Sequence, residues 1–374
     1  MFKSYINNEQ FNFQINRFLE PYYANVSVQQ TIKKSVSKIT DEKSWYTVWK
    51  QLGLVEEKNG QNALASAYYQ LADFFLSESD PHKNETYAAF RKTFYKSISM
   101  SKIAFDTVPY DGINLPVAKL EQPGATKTLL FHGGFDSYLE EIIRLTLNEG
   151  LLDLKNYNFI LFEGPGQGQA LKNGLAMTHE WEKPVRKILD YYDLKHADLM
   201  GMSLGGYLAM RAAAFEPRID KVIAFDVYYS MLDSLTMKLP QTSINVLAQI
   251  NNPLVAAKID AVLDKASKGN VDLAFKIRKG NEIMHTNKAT NLIKNVQKYT
   301  LAGIENHVRQ DVLLLAGSHD MYVPTSALDF EAAKLVNAKS VTKIMFDEQS
   351  GGERHCQVGN KKLAFDKIKQ FLKE

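Results

Sequence analysis

The stretch Gly201-Met202-Ser203-Leu204-Gly205 constrains what this chain can fold into more than any other segment. It follows an apolar run ending in Asp198-Leu199-Met200 and precedes Gly206-Tyr207-Leu208-Ala209-Met210-Arg211-Ala212-Ala213-Ala214, a strong helix former. Strand, sharp turn and helix in that order put the serine on a strained turn. A Cβ on either side would clash as strand and helix pack closely, so both flanking glycines are required. The helix starts under Ser203, and its dipole and free N–H groups favour negative charge developing there. The five-residue pattern alone recurs in many proteins; the strand before it and the helix after it make Ser203 a candidate nucleophile.

The rest of the chain supplies a matching frame. From about residue 103 a β-hairpin is expected to turn at Asp111-Gly112. Short apolar runs at 128–131, 159–162, 197–200, 222–225, 312–315 and 341–346 then alternate with helical stretches, the pattern of a mostly parallel sheet covered on both faces. The gap from Phe225 to Val312 is too long for one crossover helix. Residues of roughly 229–305 read as an inserted helical cap that shapes a pocket, with a plain structural insertion as the alternative. Residues 1–102 read as a separate helical region, with a helix start at Thr40-Asp41-Glu42. It is dense in aromatics, among them Trp45, Trp49, Tyr68, Phe74, Phe75, Phe90 and Phe94. Helix–helix core is the ordinary reading of these residues and a wall over a substrate pocket the alternative.

Composition narrows the class. With 45% hydrophobic and 23% charged residues over 374 positions, this is globular composition. The net charge of +3 is too balanced to argue for nucleic acid or an anionic membrane surface. The one cysteine, Cys356, cannot form an intramolecular disulfide, no apolar run reaches membrane-spanning length, and residues 1–10 lack an apolar core and a cleavage site. A cytoplasmic protein without membrane or nucleic-acid partners is expected. The sequence leaves open whether it forms a homodimer.

A serine attacks only if a base takes its proton and an acid orients that base. His355 is the best-placed histidine, in the loop Ser350-Gly351-Gly352-Glu353-Arg354 that follows the last strand. Asp320 lies just past the preceding strand in Gly317-Ser318-His319-Asp320, while Asp226, immediately after Phe225, is a rival acid. Two N–H groups would form an oxyanion hole, one from Leu204 and one from Gly134 or Phe135 in His132-Gly133-Gly134-Phe135-Asp136. His132 reads as a brace for this loop, since no second metal ligand stands at suitable spacing. Asp136 either acts on substrate or fixes the loop, and Tyr228 stands with the apolar set expected to meet substrate. Glu163-Gly164-Pro165-Gly166-Gln167-Gly168 fails the dinucleotide spacing and reads as a tight turn lining the pocket. No cofactor and no metal are expected.

With His132-Gly133-Gly134-Phe135-Asp136-Ser137, Gly164-Pro165-Gly166-Gln167-Gly168, Glu180-Trp181-Glu182 and the Ser203 turn assembled, residues 103–374 resemble the α/β-hydrolase superfamily. The pattern is similar to the branch holding 2,6-dihydroxypseudooxynicotine hydrolase and polyketide-shortening hydrolases, whose bacterial members are often labelled acylaminoacyl peptidases. The resemblance implies Ser203, Asp320 and His355 as a triad, and raises Asp136 as an auxiliary residue. It implies a serine hydrolase; the aromatic and apolar residues of the N-terminal region and cap, Tyr228 among them, point to a small, apolar or aromatic carbonyl compound or short peptide, cleaved at an ester, an amide or a C–C bond beside a ketone. Two alternatives stay open, an acylaminoacyl-peptidase-type enzyme and a catalytically weak binding or regulatory protein. The chain has no room for the β-propeller of a typical oligopeptidase, and the cap carries no motif that transfers a substrate.

Overall fold

Apolar runs without polar alternation, such as Leu129-Leu130-Phe131 and Leu313-Leu314-Leu315, need burial on both faces of a sheet. In the computed structural model, which describes residues 1–374, all six of these side chains are buried. The chain divides into two compact units, one of Met1–Ser101 with Ala261–Glu282 and one of Lys102–Asp260 with Ile283–Glu374.

The first unit begins with five helices, α1 (Glu9–Leu19), α2 (Val26–Val36), α3 (Glu42–Lys58), α4 (Asn62–Phe74) and α5 (Lys83–Ser97). Helix α3 starts where the sequence places it: the Asp41 side chain accepts the Ser44 N–H at 2.7 Å, and Ser44 answers in a capping box.

The second unit is an eight-stranded sheet in the order β1-β2-β4-β3-β5-β6-β7-β8. Its strands are β1 (Ala104–Tyr110), β2 (Ile113–Leu120), β3 (Lys127–His132), β4 (Tyr157–Phe162), β5 (Ala197–Met202), β6 (Ile219–Phe225), β7 (Asp311–Gly317) and β8 (Ser340–Phe346). Strands β1 and β2 form the expected hairpin, with Asp111 and Gly112 both at positive φ, and β2 joins β4 antiparallel. From β4 through β8 every pairing is parallel, and helices connect the strands. They are α6 (Leu139–Asn148), α7 (Gly168–Lys172), α8 (Glu182–Tyr191) and α9 (Gly205–Phe215) before β6, and α15 (Ala327–Lys334) between β7 and β8, while α16 (Lys361–Lys373) follows the last strand.

Between β6 and β7 run α10 (Met231–Thr236), α11 (Gln241–Leu247), α12 (Pro253–Ser267), α13 (Val271–Ile283) and α14 (Ala289–Val296). The excursion is pinned at its root, where the Met231 N–H donates to the Tyr299 carbonyl and the Leu301 N–H to the Tyr229 carbonyl, both at 2.9 Å. It is not one body. The unit boundary falls within α12, and residues 261–282 pack with the N-terminal helices, so the stretch read as a cap of the sheet is divided. Aromatic packing supplies the reason: Phe275 stacks on Phe74 at 5.1 Å and meets Phe75 edge-on at 4.9 Å. Charge adds to it, since Lys279 pairs with Glu78 at 2.9 Å and Arg278 with Glu42 at 3.0 Å. Trp45 and Trp49 meet at 5.5 Å, and both are buried with Tyr68 and Phe74 in the same helical core. The core reading of these aromatics therefore holds, and Phe90 and Phe94 are buried as well. No helix is long and apolar enough to cross a membrane.

Because Phe275 reaches its partners from a distant part of the sequence, Phe275→Ala is expected to lower stability in urea unfolding by about 3–5 kcal/mol. A loss below about 1 kcal/mol would show that residues 261–282 do not belong to the helical core.

Candidate active site

Strand β5 ends at Met202, and Ser203 takes φ of +64° at the turn into α9. A non-glycine residue rarely adopts this left-handed region, and here backbone packing enforces it. The Ser203 N–H donates to the Phe225 carbonyl at 2.6 Å. A Cβ at Gly201 would lie 1.9 Å from the Gly205 carbonyl oxygen, and one at Gly205 would lie 2.7 Å from the Gly133 oxygen. Gly206, which the sequence reading did not single out, is equally confined, 1.9 Å from the Asp226 oxygen by the same measure.

Three side chains from three loops converge at this turn. The Ser203 hydroxyl lies 2.8 Å from His355 Nε2, and His355 Nδ1 lies 2.7 Å from Asp320 Oδ2. With Nδ1–H donating to the carboxylate, Nε2 is left to accept the serine proton. Asp320 is itself oriented by the N–H groups of Tyr322 at 2.6 Å and Val323 at 3.0 Å, both on Oδ1. The Tyr322 ring packs edge-on against the imidazole, with centroids 4.9 Å apart. Burial alone would raise the Asp320 carboxyl; the facing His355 and the hydrogen bonds from His355 and Asp226 outweigh it and hold Asp320 below the ordinary range.

Asp226 is not the direct partner of His355, since its Oδ2 stands 3.7 Å from Nδ1. It is still part of the cluster, hydrogen-bonded to Asp320, and burial followed by the Asp320 charge pushes it well above the usual carboxylate range. Asp226, Asp320 and His355 present ligand atoms within 4.8 Å of one another, the donor set a cation would need. Each of those groups is already engaged in hydrogen bonds to its neighbours or to backbone N–H groups.

The loop after β3 lies directly against the turn. A Cβ at Gly134 would sit 2.8 Å from the Leu204 nitrogen, so the candidate oxyanion donors of both loops are neighbours. Gln167 holds this loop, an assignment the sequence reading missed. Its Nε2 donates to the carbonyls of Gly133 at 2.8 Å and Gly134 at 3.0 Å, while its Oε1 accepts the Gly164 N–H at 2.9 Å. Gln167 is buried, so the turn read as pocket lining spends this side chain on the backbone. Glu163 extends the bracing, accepting the N–H groups of Leu139 and Gln169, each at 2.7 Å. His132 is a brace as well. Its Nε2 accepts the Trp181 indole N–H at 3.1 Å, which leaves the ring proton on Nδ1 to donate to the Gly133 carbonyl at 2.8 Å. Asp136 and Phe135 are half-buried on the loop, and Tyr228 is buried with its hydroxyl accepting from Ser234 at 2.6 Å.

No family model matches the sequence. Hydrolase ORFZ of Pyricularia oryzae is 26% identical, over 97% of this chain and 96% of its own length. Alpha/beta hydrolase xenA of Xenoacremonium sinensis is also 26% identical, over 74% and 71%. This chain belongs to the α/β-hydrolase superfamily. The solved structure of 2,6-dihydroxy-pseudo-oxynicotine hydrolase shares the fold of this hydrolase with a TM-score of 0.65 at 19% identity, covering 94% of each chain.

Burial holds His132 of this hydrolase down to about 4, so the ring is neutral in the folded state at neutral pH. An unfolded histidine takes up its proton near pH 6.5. The stabilisation from neutral His132 is complete above that pH and is lost as pH falls toward about 4. Between pH 7 and 4.5, wild type is expected to lose about 2–3 kcal/mol more in urea unfolding than His132→Gln. Equal losses in the two proteins would refute the buried neutral ring.

Proposed function

We propose that this hydrolase is a serine hydrolase with Ser203 as nucleophile, His355 as general base and Asp320 as the orienting acid. The observation that carries the reading is the unbroken hydrogen-bond chain from Ser203 through His355 to Asp320, at 2.8 and 2.7 Å. As Ser203 Oγ adds to the substrate carbonyl carbon, its proton moves to His355 Nε2. The Leu204 N–H and the N–H of Gly134 or Phe135 receive the oxyanion. Collapse breaks the bond to the leaving group, which takes the proton from Nε2, and a water activated by the same nitrogen releases the acyl group. Asp320 stays ionised and stabilises the imidazolium at each stage.

The substrate class we assign is a small carbonyl compound of apolar or aromatic character, cleaved at an ester, an amide or a C–C bond beside a ketone. Support comes from a neighbour of shared fold whose name gives an organic molecule, 2,6-dihydroxy-pseudo-oxynicotine, as what it hydrolyses. Tyr228, buried two residues beyond Asp226, and Asp136, on the loop beside the candidate oxyanion donors, are assigned to substrate contact.

A fluorophosphonate probe is expected to form one adduct on Ser203 in wild type and none in Ser203→Ala; folded wild type without an adduct refutes the reading. Gln167→Leu is expected to slow that acylation about 10²-fold by releasing the oxyanion loop. An unchanged rate would remove Gln167 from the positioning of those donors.

A further inference from the structure

Strands β6 and β7 are parallel neighbours, with Phe225 paired to Leu315. Each carries an aspartate just beyond its carboxyl end, and the two side chains meet beneath His355. They are closed off from solvent, at 0% exposure for Asp226 and 2% for Asp320. His355 Nδ1 faces both, at 2.7 Å from Asp320 Oδ2 and 3.7 Å from Asp226 Oδ2. Two carboxylates this close in a dry site cannot both be ionised, so the pair keeps a proton.

The surrounding donors decide where that proton sits. Asp320 accepts from the imidazole N–H and from two backbone N–H groups, at 2.7, 2.6 and 3.0 Å. Asp226 accepts from the Val227 and Cys356 N–H groups alone, at the longer distances of 3.1 and 3.2 Å. The better-solvated anion is Asp320, which leaves Asp226 to donate to it. The rise of the Asp226 carboxyl through burial, then through the Asp320 charge, agrees with this placement. The titratable groups facing Asp226 are Asp320 and His355; the Cys356 thiol lies against the Phe225 carbonyl at 3.7 Å, and the Tyr228 hydroxyl is engaged with Ser234.

We propose that Asp226 is a second acid partner of His355: it shares one proton with Asp320 in the resting enzyme and takes the anionic position when Asp320 cannot fill it. This rests on the serine-hydrolase reading of the site. In the native cycle the serine proton travels to Nε2 and on to the leaving group, while the shared proton stays on the pair, which carries a single negative charge throughout. If the Asp320 side chain is removed, Asp226 no longer faces an anion. It releases its proton to solvent, and its Oδ2 becomes the charge that faces the imidazolium. Asp226 is thus a positioning residue acting through His355.

Fluorophosphonate acylation of Ser203, measured against pH, provides the test. Asp226→Asn is expected to slow acylation about tenfold more in an Asp320→Ala background than in wild type. The acid limb of Asp320→Ala should lie at higher pH than that of wild type, because a buried carboxyl must ionise, and Asp226→Asn should abolish that limb. Equal costs of Asp226→Asn in both backgrounds, or an unshifted limb, overturn the proposal. Should Asp320→Ala fail to fold, the infrared spectrum of wild type minus Asp226→Asn at neutral pH decides. A protonated carboxyl C=O band must appear in that difference, and its absence overturns the proposal. The two readings fail separately: wild type without a Ser203 adduct removes the serine-hydrolase reading, whereas a labelled wild type with equal costs removes only the role of Asp226.

Discussion

Backbone meets backbone at the carboxyl end of β5, and the site depends on that closeness. The Gly205 carbonyl occupies the space that a side chain at 201 would need, and the Asp226 carbonyl does the same at 206. These contacts draw the start of α9, the loop after β3 and the end of β6 onto one point. Ser203 is left on the exposed side of the turn, half-buried, while its neighbours are buried. The hydroxyl is presented by exclusion, since main chain closes in on the turn at Gly201, Gly205 and Gly206.

Around that point the polar groups fix one another. Gln167 and His132 both act on the Gly133 carbonyl, one from the turn after β4 and one from the end of β3. Pulling the carbonyls of Gly133 and Gly134 one way aims the corresponding N–H groups the other, which preorganises them without any substrate present. The buried carboxyl pair works by the same logic on the far side of the imidazole. Each element is costly to bury alone and tolerable only because its partner is already in place.

Much of this was legible from sequence, and the failures have physical causes. Uninterrupted apolar runs located the parallel strands because burial on both faces leaves no polar alternation. The Ser203 turn was readable since strand, glycines and helix must agree locally. His355 and Asp320 followed from chain order, because the loops after the last two strands project from one edge of a parallel sheet. The task of Gln167 was hidden: an amide in a glycine-rich turn has no periodicity, and its partners lie more than thirty positions away. Asp226 was visible as a rival to Asp320, yet only the adjacency of β6 and β7 makes the two a pair. Residues 261–282 showed helical periodicity, which specifies that a helix forms and not which core receives it.

The grouping of those residues with the N-terminal helices has a topological consequence. The chain passes between the two units three times, near residues 101, 260 and 282. No single cleavage therefore yields two intact units: a cut near residue 101 leaves Phe275 and Lys279 attached to the sheet-bearing fragment without Phe74, Phe75 and Glu78. The first unit must also recruit a segment, residues 261–282, that is made well after its N-terminal helices, as the bond between the Glu78 N–H and Glu282 shows across 204 residues. Its closure waits on the chain that carries Ser203, so during synthesis the helical unit is completed only after the Ser203 turn has emerged.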